Sequence, residues 1–442
     1  MRSLTILLFL LVDSLFTYAQ NENRLVVSKD TNYVYSDTIQ NKTYYGNYKA
    51  TGLIKTPDSC YLVSTEFSIY FPESNDTTYL WTNFKKYMEI QNLYTGRQHI
   101  SSGSIFKLNN LFKKQWEVVF KEKRVKSIQS YDSLSFIAVG ERVDQQKIWV
   151  SRIAIANGKI IWFKEFSVRH HPSIAGVSIS SKKDIILLTE SQRLIPLNIK
   201  KQYGKTRFVF FKTLNDSEQF LSLSSISGDG NLNWRKRIDF KKGYEIWGEN
   251  IAANNNIMLY SSYTGFDKIN GKYIKNEGEK AYLFNLSGHK LFEKKFDYND
   301  SFKVYNFFDE NKWLHITSKS DTLVIEKYDD KLNMIFSKTI TNKGKFSDIQ
   351  SMYKTNDGFF IYGLTNIKTG GCLICKLDTG FNFINSWAYD RIERNQDTKL
   401  TVPFHGDLMV LGSCYHTFTE KEKLHPNDIL YEYINLLELK LK

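Results

Sequence analysis

The chain has 442 residues, a formal net charge of +13 and 15% aromatic residues. A mature length of about 420 residues exceeds the usual size of a domain with one hydrophobic core, unless the chain is a propeller or a repeat array. Alternating Val, Ile, Leu and Tyr residues favour sheet over helix. The lysines are scattered among Asn, Ser and Asp residues, so the charge indicates compositional bias and predicts no specific nucleic-acid partner.

The first residues have the pattern of a secretory signal peptide. Arg2 supplies a positive start, an apolar run covers 4–12, and Ala19 stands where a signal peptidase cleaves. This run is shorter than the roughly 20 residues that a membrane-spanning helix needs, and no cysteine near the cleavage point could carry a lipid. We predict a signal peptide over 1–19 and a secreted or periplasmic protein with no transmembrane anchor. A buried first helix or strand is the alternative.

A strand–turn–strand pattern recurs along the mature chain, which is the mark of a repeat architecture. Its clearest copy covers 348–363, where Asn356-Asp357-Gly358 forms the turn of a hairpin. Further copies cover 53–65, 128–140, 177–189, 251–263, 304–317 and 400–413. The sequence therefore contains seven copies of this first hairpin.

A second hairpin follows six of these copies, and its outgoing strand usually carries a large aromatic residue such as Trp162. After the seventh copy only one strand remains, at 429–439, so the missing outer strand can come only from 25–45. We therefore predict a single all-β domain over 20–442. It is a seven-bladed β-propeller of four-stranded antiparallel blades, whose ring is closed by an N-terminal strand that completes the last blade.

The second hairpins resemble the repeats of quinoprotein-like propellers, the pyrroloquinoline-quinone-type family. The resemblance rests on the Lys-Leu-Asp hairpin with a Gly at 376–380 and the Trp387 that follows it. In that family the outer-strand aromatic residue docks against the neighbouring blade. The resemblance implies this role for Trp116, Trp162, Trp234, Phe292 and Phe336. The quinone contacts, bound metal and haem segment of the family's enzymes have no recognisable counterpart here, so we expect no cofactor.

The sequence contains no recognisable catalytic or metal-binding motif. Cys372 and Cys375 lie three residues apart in an apolar strand and point to opposite faces, so they can neither pair with each other nor share a metal. For these two and for Cys60 and Cys414 we expect buried thiols, with at most one disulfide. The segment 227–234 resembles the Asp-box turn of sialidase-like propellers, which supports a hairpin and not glycosidase chemistry.

The connections between the two hairpins of a unit are long at 66–100, 191–217, 264–279 and 414–428. In a propeller they lie on the same face as the links between blades, here called the link face. The opposite face, which carries the short hairpin turns, is the tight-turn face. Long loops on a rigid scaffold usually hold binding residues, although tolerated insertions are the alternative. The candidate contacts on the link face are Trp81, Tyr87, Arg97, His170, His171 and Trp247.

Two functions fit this pattern. The first is a monomeric binding or scaffold module of the cell envelope, which recognises a protein or a glycan on the link face. The second is a secreted hydrolase or lyase that acts on polysaccharide at the central funnel. An enzyme is expected to bring two or more carboxylates with shifted pKa values together at the channel mouth. A binding module is expected to show exposed aromatic residues there.

Overall fold

Strands make up all of the regular secondary structure in the part of the chain that the structure describes. This computed structural model describes residues 26–33, 36–39, 42–45, 47–70, 99–142, 147–168, 172–193, 218–239, 244–269, 272–296, 304–309, 312–319, 322–341, 346–365, 372–389, 395–401, 408–415 and 432–440. No helix occurs within these ranges. The predicted signal peptide at 1–19 lies outside them.

The described strands pair into seven four-stranded antiparallel sheets and one two-stranded hairpin, and six of the sheets are blades of four consecutive strands. Blade 1 contains β4 (Asn47–Lys55), β5 (Tyr61–Tyr70), β6 (His99–Leu108) and β7 (Lys114–Phe120). Blade 2 contains β8 (Arg124–Ser130), β9 (Ser135–Arg142), β10 (Lys147–Ala154) and β11 (Ile160–Ser167). Blade 3 contains β12 (Pro172–Ile179), β13 (Ile185–Arg193), β14 (Glu218–Ile226) and β15 (Leu232–Asp239).

The next three blades repeat this order. Blade 4 contains β16 (Tyr244–Ala253), β17 (Asn256–Ile269), β18 (Lys272–Asn285) and β19 (Lys290–Phe296). Blade 5 contains β20 (Val304–Asp309), β21 (Lys312–Lys319), β22 (Thr322–Tyr328) and β23 (Met334–Thr341). Blade 6 contains β24 (Phe346–Thr355), β25 (Gly358–Thr365), β26 (Cys372–Leu377) and β27 (Phe383–Tyr389).

The remaining four-stranded sheet is composite, because its strands come from both ends of the described chain. It contains β28 (Asn395–Thr401), β29 (Leu408–Tyr415), β30 (Glu432–Lys440) and, as its outer strand, β1 (Val26–Tyr33). β1 runs antiparallel to β30, with Val26 opposite Lys440 and Tyr33 opposite Ile434. The short hairpin of β2 (Ser36–Ile39) and β3 (Lys42–Tyr45) forms a two-stranded sheet of its own.

First strands of neighbouring sheets contact one another, for example β4 with β8 and β12 with β16. The first strand of each sheet is therefore the inner strand and the fourth is the outer strand. The prediction of an all-β propeller with four-stranded antiparallel blades is confirmed. Of the seven predicted units, six are blades continuous in sequence, and the seventh first hairpin belongs to the composite sheet.

The core lies between neighbouring blades. The second strand of blade 2, β9, is buried at every position but its last, because apolar residues face both neighbours. Outer strands such as β15 instead alternate between exposed and half-buried residues, since only one of their faces meets another blade. In one interblade cluster, Leu62 and Ile105 of blade 1 pack with Phe136 and Trp149 of blade 2.

Three outer-strand tryptophans join successive blades in the same way. Trp162 donates a hydrogen bond from Nε1 to the carbonyl oxygen of Gly228 in blade 3, at 3.0 Å. Gly230 of the same turn has a φ of +87°, and a Cβ built there would lie 3.0 Å from the Trp162 ring. Trp116 and Trp234 repeat the arrangement on blades 2 and 4, with Nε1–O distances of 3.2 and 2.9 Å. Each indole therefore anchors one blade to the outer turn of the next.

The other two predicted docking residues differ from these tryptophans. Phe336 of blade 5 packs against Phe381 in the outer turn of blade 6, with ring centroids 5.7 Å apart. Phe292 of blade 4 is 39% exposed, so its ring is less deeply seated. A phenyl ring lacks the indole N–H that fixes the three tryptophans to a carbonyl.

Candidate binding site on the link face

Of the six residues predicted to contact a ligand, the described part of the chain contains Trp247. Trp81, Tyr87 and Arg97 lie in 71–98, outside the described residues. His170 and His171 lie outside them too, as does most of the predicted loop at 191–217.

Trp247 lies on the inner strand of blade 4, which corrects its predicted place in a link between blades. The strand β16 already begins at Tyr244. Tyr244 and Ile246 are buried, whereas Trp247 is 39% exposed. Such alternation is typical of a strand, so these residues belong to β16 at the link-face end of the blade. Trp247 therefore lies near the link-face end of an inner strand, and its side chain is on the opposite face of that strand from Gly248, which meets blade 3.

Two polar side chains of blade 3 hold the backbone on either side of Trp247. The N–H of Ile246 donates to Oε1 of Gln219 at 2.7 Å, and the N–H of Gly248 donates to Oε1 of Glu190. A Cβ at Gly248 would lie 2.7 Å from the Leu188 side chain, so glycine permits this close approach. Because both bonds come from one neighbouring blade, they fix the position of the strand segment that carries Trp247.

The predicted long loop at 264–279 is an ordered β-hairpin. β17 and β18 have 14 residues each and pair with one another out to Ile269 and Lys272. β16 pairs with β17 only as far as Gly265, and β19 pairs with β18 only as far as Glu279. Within the described residues, the tip over 266–275 pairs only with itself, and it is here called the arm.

Two buried tyrosines and a polar contact hold the base of the arm. A Cβ at Gly265 would lie 2.6 Å from the Tyr244 ring, which covers this glycine closely, and the Tyr244 and Tyr263 rings are 5.9 Å apart. Burial, together with the neighbouring Asp267, raises the pKa of Tyr244 to about 12. Asn276 Nδ2 donates to Asp267 Oδ2 at 2.7 Å. The base is therefore packed as well as hydrogen-bonded.

The far part of the arm offers both apolar and charged groups to solvent. Ile274 is 48% exposed, and Lys275 forms an ion pair with Glu277 at 2.5 Å. Together with Trp247, these groups give the link face of blade 4 the mixed surface that protein and glycan ligands use.

Two carboxylates from neighbouring blades also converge near the inner strands. Nζ of Lys126 lies 2.7 Å from Glu66 Oε2 and 3.8 Å from Glu141 Oε2. Lys126 is the bulged residue of β8, where the register with β9 shifts. Glu141 also accepts a hydrogen bond from the Ile174 N–H of blade 3 at 2.7 Å. Burial raises the pKa of the Glu141 carboxyl, while Lys126 acts against the shift.

Sequence reasoning missed this cluster because its members are far apart in the chain. Glu66 and Lys126 lie on different blades, and no short motif contains both. A bulge also leaves no clear mark in the sequence, so the re-aimed Lys126 side chain could not be predicted.

The described ranges also bear on metal binding, membrane crossing and disulfides. They contain no group of three or more His, Cys, Asp or Glu side chains placed to hold a metal ion. No helix in these ranges has the length and apolar character needed to cross a bilayer. Cys60 is a buried thiol outside any disulfide, and Cys375 is buried in β26.

Comparison with known proteins gave structural similarity alone. No family model and no curated protein matches the chain. The polysaccharide lyase Uly1 is 9% identical with a TM-score of 0.47, over 94% of this chain and 100% of that chain. A functionally unknown protein from Desulfotomaculum acetoxidans is 11% identical with a TM-score of 0.41, over 71% and 88%.

A third similar structure is a subtype N11 neuraminidase-like protein of A/flat-faced bat/Peru/033/2010 (H18N11). It is 11% identical with a TM-score of 0.39, over 94% of this chain and 95% of that chain. Similarities this low carry no argument about activity or ligand. The class of the protein, a β-propeller with four-stranded antiparallel blades, follows from its own sheets.

Proposed function

We propose that the protein is a binding module of the cell envelope that recognises a protein or glycan partner through its link face. The observation that carries this proposal is the exposed Trp247, whose strand is held by two backbone hydrogen bonds to blade 3, on the blade that extends into the arm. A rigidly held aromatic residue loses little conformational entropy when a partner binds. Aromatic residues also dominate the binding energy at many interfaces.

We further propose that this module is a closed ring of seven blades, exported by its signal peptide. The pairing of β1 with β30 supports closure, because it completes a composite four-stranded sheet. The inner strand of that sheet, β28, contacts both β24 and β4. The pattern of residues 1–19 supports export.

The test is a binding screen of the chain 20–442 against envelope glycans and peptides, followed by variants of the proposed site. Trp247→Ala, and a second variant with the arm replaced by a short Gly-containing turn, are expected to weaken binding at least about tenfold. Lys113→Ala and Lys182→Ala are the controls, because both side chains are exposed on the tight-turn face. Equal losses in both groups, or losses only in the controls, would place the partner elsewhere.

Asp132 and Asp357 are unsuitable as controls on the tight-turn face. Asp132 forms an ion pair with Arg152, and Asp357 forms one with Lys376, both at 2.6 Å. Alanine at either position would remove a contact within its blade, so weaker binding could reflect a disturbed fold.

One observation favours the alternative, a polysaccharide-acting hydrolase or lyase. Glu66 and Glu141 converge on Lys126, and the pKa of Glu141 is raised. Against a catalytic role, Lys126 bridges the two carboxylates and the Ile174 N–H holds Glu141 in place. Release of reducing ends or of unsaturated sugars from an envelope polysaccharide, abolished by Glu66→Gln, would establish the enzyme.

A further inference from the structure

The outer strands of three consecutive blades carry an excess of positive charge. β15, β19 and β23 together contain seven Lys or Arg residues and two Asp or Glu residues, a net charge of +5. The outer strands β1, β7, β11 and β27 each have a net charge of zero, in β11 because Lys164 is followed by Glu165. Part of the positive charge that looks scattered in the sequence therefore lies on the outer wall of blades 3 to 5, and Lys164 adds a cation on the adjoining wall of blade 2.

Four of these cations occupy the same position in their strands. Each lies two residues after the aromatic residue that faces the next blade, and the set is Lys164, Lys236, Lys294 and Lys338. Residues two apart in a strand share a face, so each lysine lies at the joint between its own blade and the next. We call these four residues the lysine ladder.

The ladder lysines bond to neutral groups of the next blade. Lys236 Nζ donates to the Gly288 carbonyl oxygen at 3.1 Å, and Lys294 Nζ donates to that of Leu332 at 3.4 Å. Lys338 Nζ donates to the carbonyl oxygen of Gly380 at 3.0 Å and to Oδ1 of Asn382 at 2.6 Å. The aliphatic stem of Lys164 lies against Gly230. A neutral carbonyl orients an ammonium group but does not cancel its charge.

The acidic residues of the same strands pair with other cations. Glu293 lies 2.7 Å from both Lys280 and Lys290. Asp239 pairs with Arg237, and Glu165 lies 3.5 Å from Lys147. Of the ladder lysines, Lys338 also acts on a carboxylate, because hydrogen bonds from Asn382 and the charge of Lys338 together help to lower the pKa of Asp378 in the next blade. Lys236 and Lys294 each donate one hydrogen bond to a carbonyl, so each ammonium group has two further donors for an external anion.

We propose that the outer wall of blades 2 to 5 binds an acidic polysaccharide, whose carboxylates pair with the lysine ladder. This surface is separate from the link face and does not depend on the function proposed there. The wall curves around the ring, so a flat bilayer would reach only part of the ladder, whereas a flexible linear polymer can follow all four joints.

Single-stranded nucleic acid fits this wall less well. Such strands bind through aromatic rings that offer an open face to the bases. Trp162 and Trp234, in contrast, lie against glycines of the next blade, Gly230 and Gly288. The wall thus supplies charge at every joint but few open stacking surfaces.

The test measures binding of the chain 20–442 to polygalacturonate, with neutral dextran and polythymidylate of matched length as comparisons. Binding to polygalacturonate alone, weakened as salt rises, is the expected result. The ladder variant changes Lys164, Lys236, Lys294 and Lys338 to Gln, which keeps an N–H donor for each carbonyl. The control variant changes Lys113, Lys159, Lys182 and Lys312 to Gln, four exposed lysines on the tight-turn side with the same total charge.

We expect the ladder variant to lose at least about tenfold in affinity and the control variant less than about threefold, with melting temperatures of both close to the parent. Equal losses in the two variants would show that overall charge, not the ladder, attracts the polymer, and would overturn the proposal. Tighter binding of polythymidylate, or equal binding of dextran, would overturn the assignment to an acidic polysaccharide.

Discussion

Trp162 and Trp247 both have part of the ring in solvent, yet only Trp162 joins two blades. We expect Trp162→Ala to lower the free energy of unfolding by about 3 kcal/mol, since it removes ring packing and the bond to Gly228. Trp247→Ala should lower it by less, about 1–2 kcal/mol, because 39% of the residue is already exposed. Urea denaturation measures both values, and comparable losses would contradict the distinction.

Glu141 gives a prediction about pH. Burial raises the pKa of its carboxyl above the ordinary value of 4.5, so the folded protein holds this proton more tightly than the unfolded chain does. The contribution of Glu141 to stability is therefore largest below pH 4.5 and falls as the pH rises through the folded-state pKa. Glu141→Gln keeps an acceptor for the Ile174 N–H and carries no charge.

We expect the stability of Glu141→Gln relative to the parent protein to increase from pH 4 to pH 8, measured by urea denaturation at each pH. Glu117→Gln is the control, because Glu117 is exposed and its ion pair with Lys114 lies on the surface. If the free energy of unfolding of Glu141→Gln differed from that of the parent by the same amount at every pH, the pKa of Glu141 would not be raised by folding.

Residue roles could be predicted where the repeat fixes them. The resemblance of the second hairpins to quinoprotein-like repeats implied interblade docking for Trp116, Trp162 and Trp234, and all three make it. The position of Trp247 could not be read in this way, because the strand–link boundary depends on which residues the next blade covers. The Glu66–Lys126 contact was equally hidden, since it joins two blades.

The outer turn of blade 3 requires a residue that can adopt a left-handed backbone conformation. Gly230 has a left-handed φ and faces the Trp162 ring. We expect Gly230→Ala to cost about 1–2 kcal/mol from the backbone alone, with a further cost from the ring. In a Trp162→Ala background the same change should cost less, because the ring is gone. Full additivity in this double-mutant cycle would show that the glycine and the tryptophan do not interact.

The local sequence predicts some features of the arm and not others. The segment 264–279 was expected to be a loop. Its sequence, however, has Asn270-Gly271 between two stretches in which apolar and polar residues can alternate as they do in strands. An Asn-Gly pair flanked in this way is a strong hairpin signal. The shape of the arm could therefore have been predicted from sequence, whereas the packing of Tyr244 at its base could not, since Tyr244 belongs to another strand.

The contribution of the composite sheet to the stability of the whole molecule can be tested by removing β1. Deleting Val26–Tyr33 from the mature chain should lower the melting temperature, because β30 would lose the strand that covers its outer edge. The control replaces 36–45 with a Gly–Ser linker of equal length, since β2 and β3 form a separate sheet. An unchanged melting temperature after the deletion would show that β1 adds no stability to the composite sheet.

The overall architecture was the part most open to prediction. Hairpin turns such as Asn356-Asp357-Gly358 mark the units, and the surplus strand at 429–439 indicated that an N-terminal strand was needed. The distribution of charge among the blades was not predicted. It becomes visible only when the outer strands β15, β19 and β23 are placed side by side.

The pairing of β1 with β30 can form only after nearly the whole chain has been synthesised. Val26 lies opposite Lys440, more than 400 residues later. A ribosome adding about 5–20 residues per second leaves β1 waiting about 20–80 s for its partner. A chain truncated before β30 leaves β1 without this partner, so the N–H and C=O groups that pair with β30 stay open on that edge.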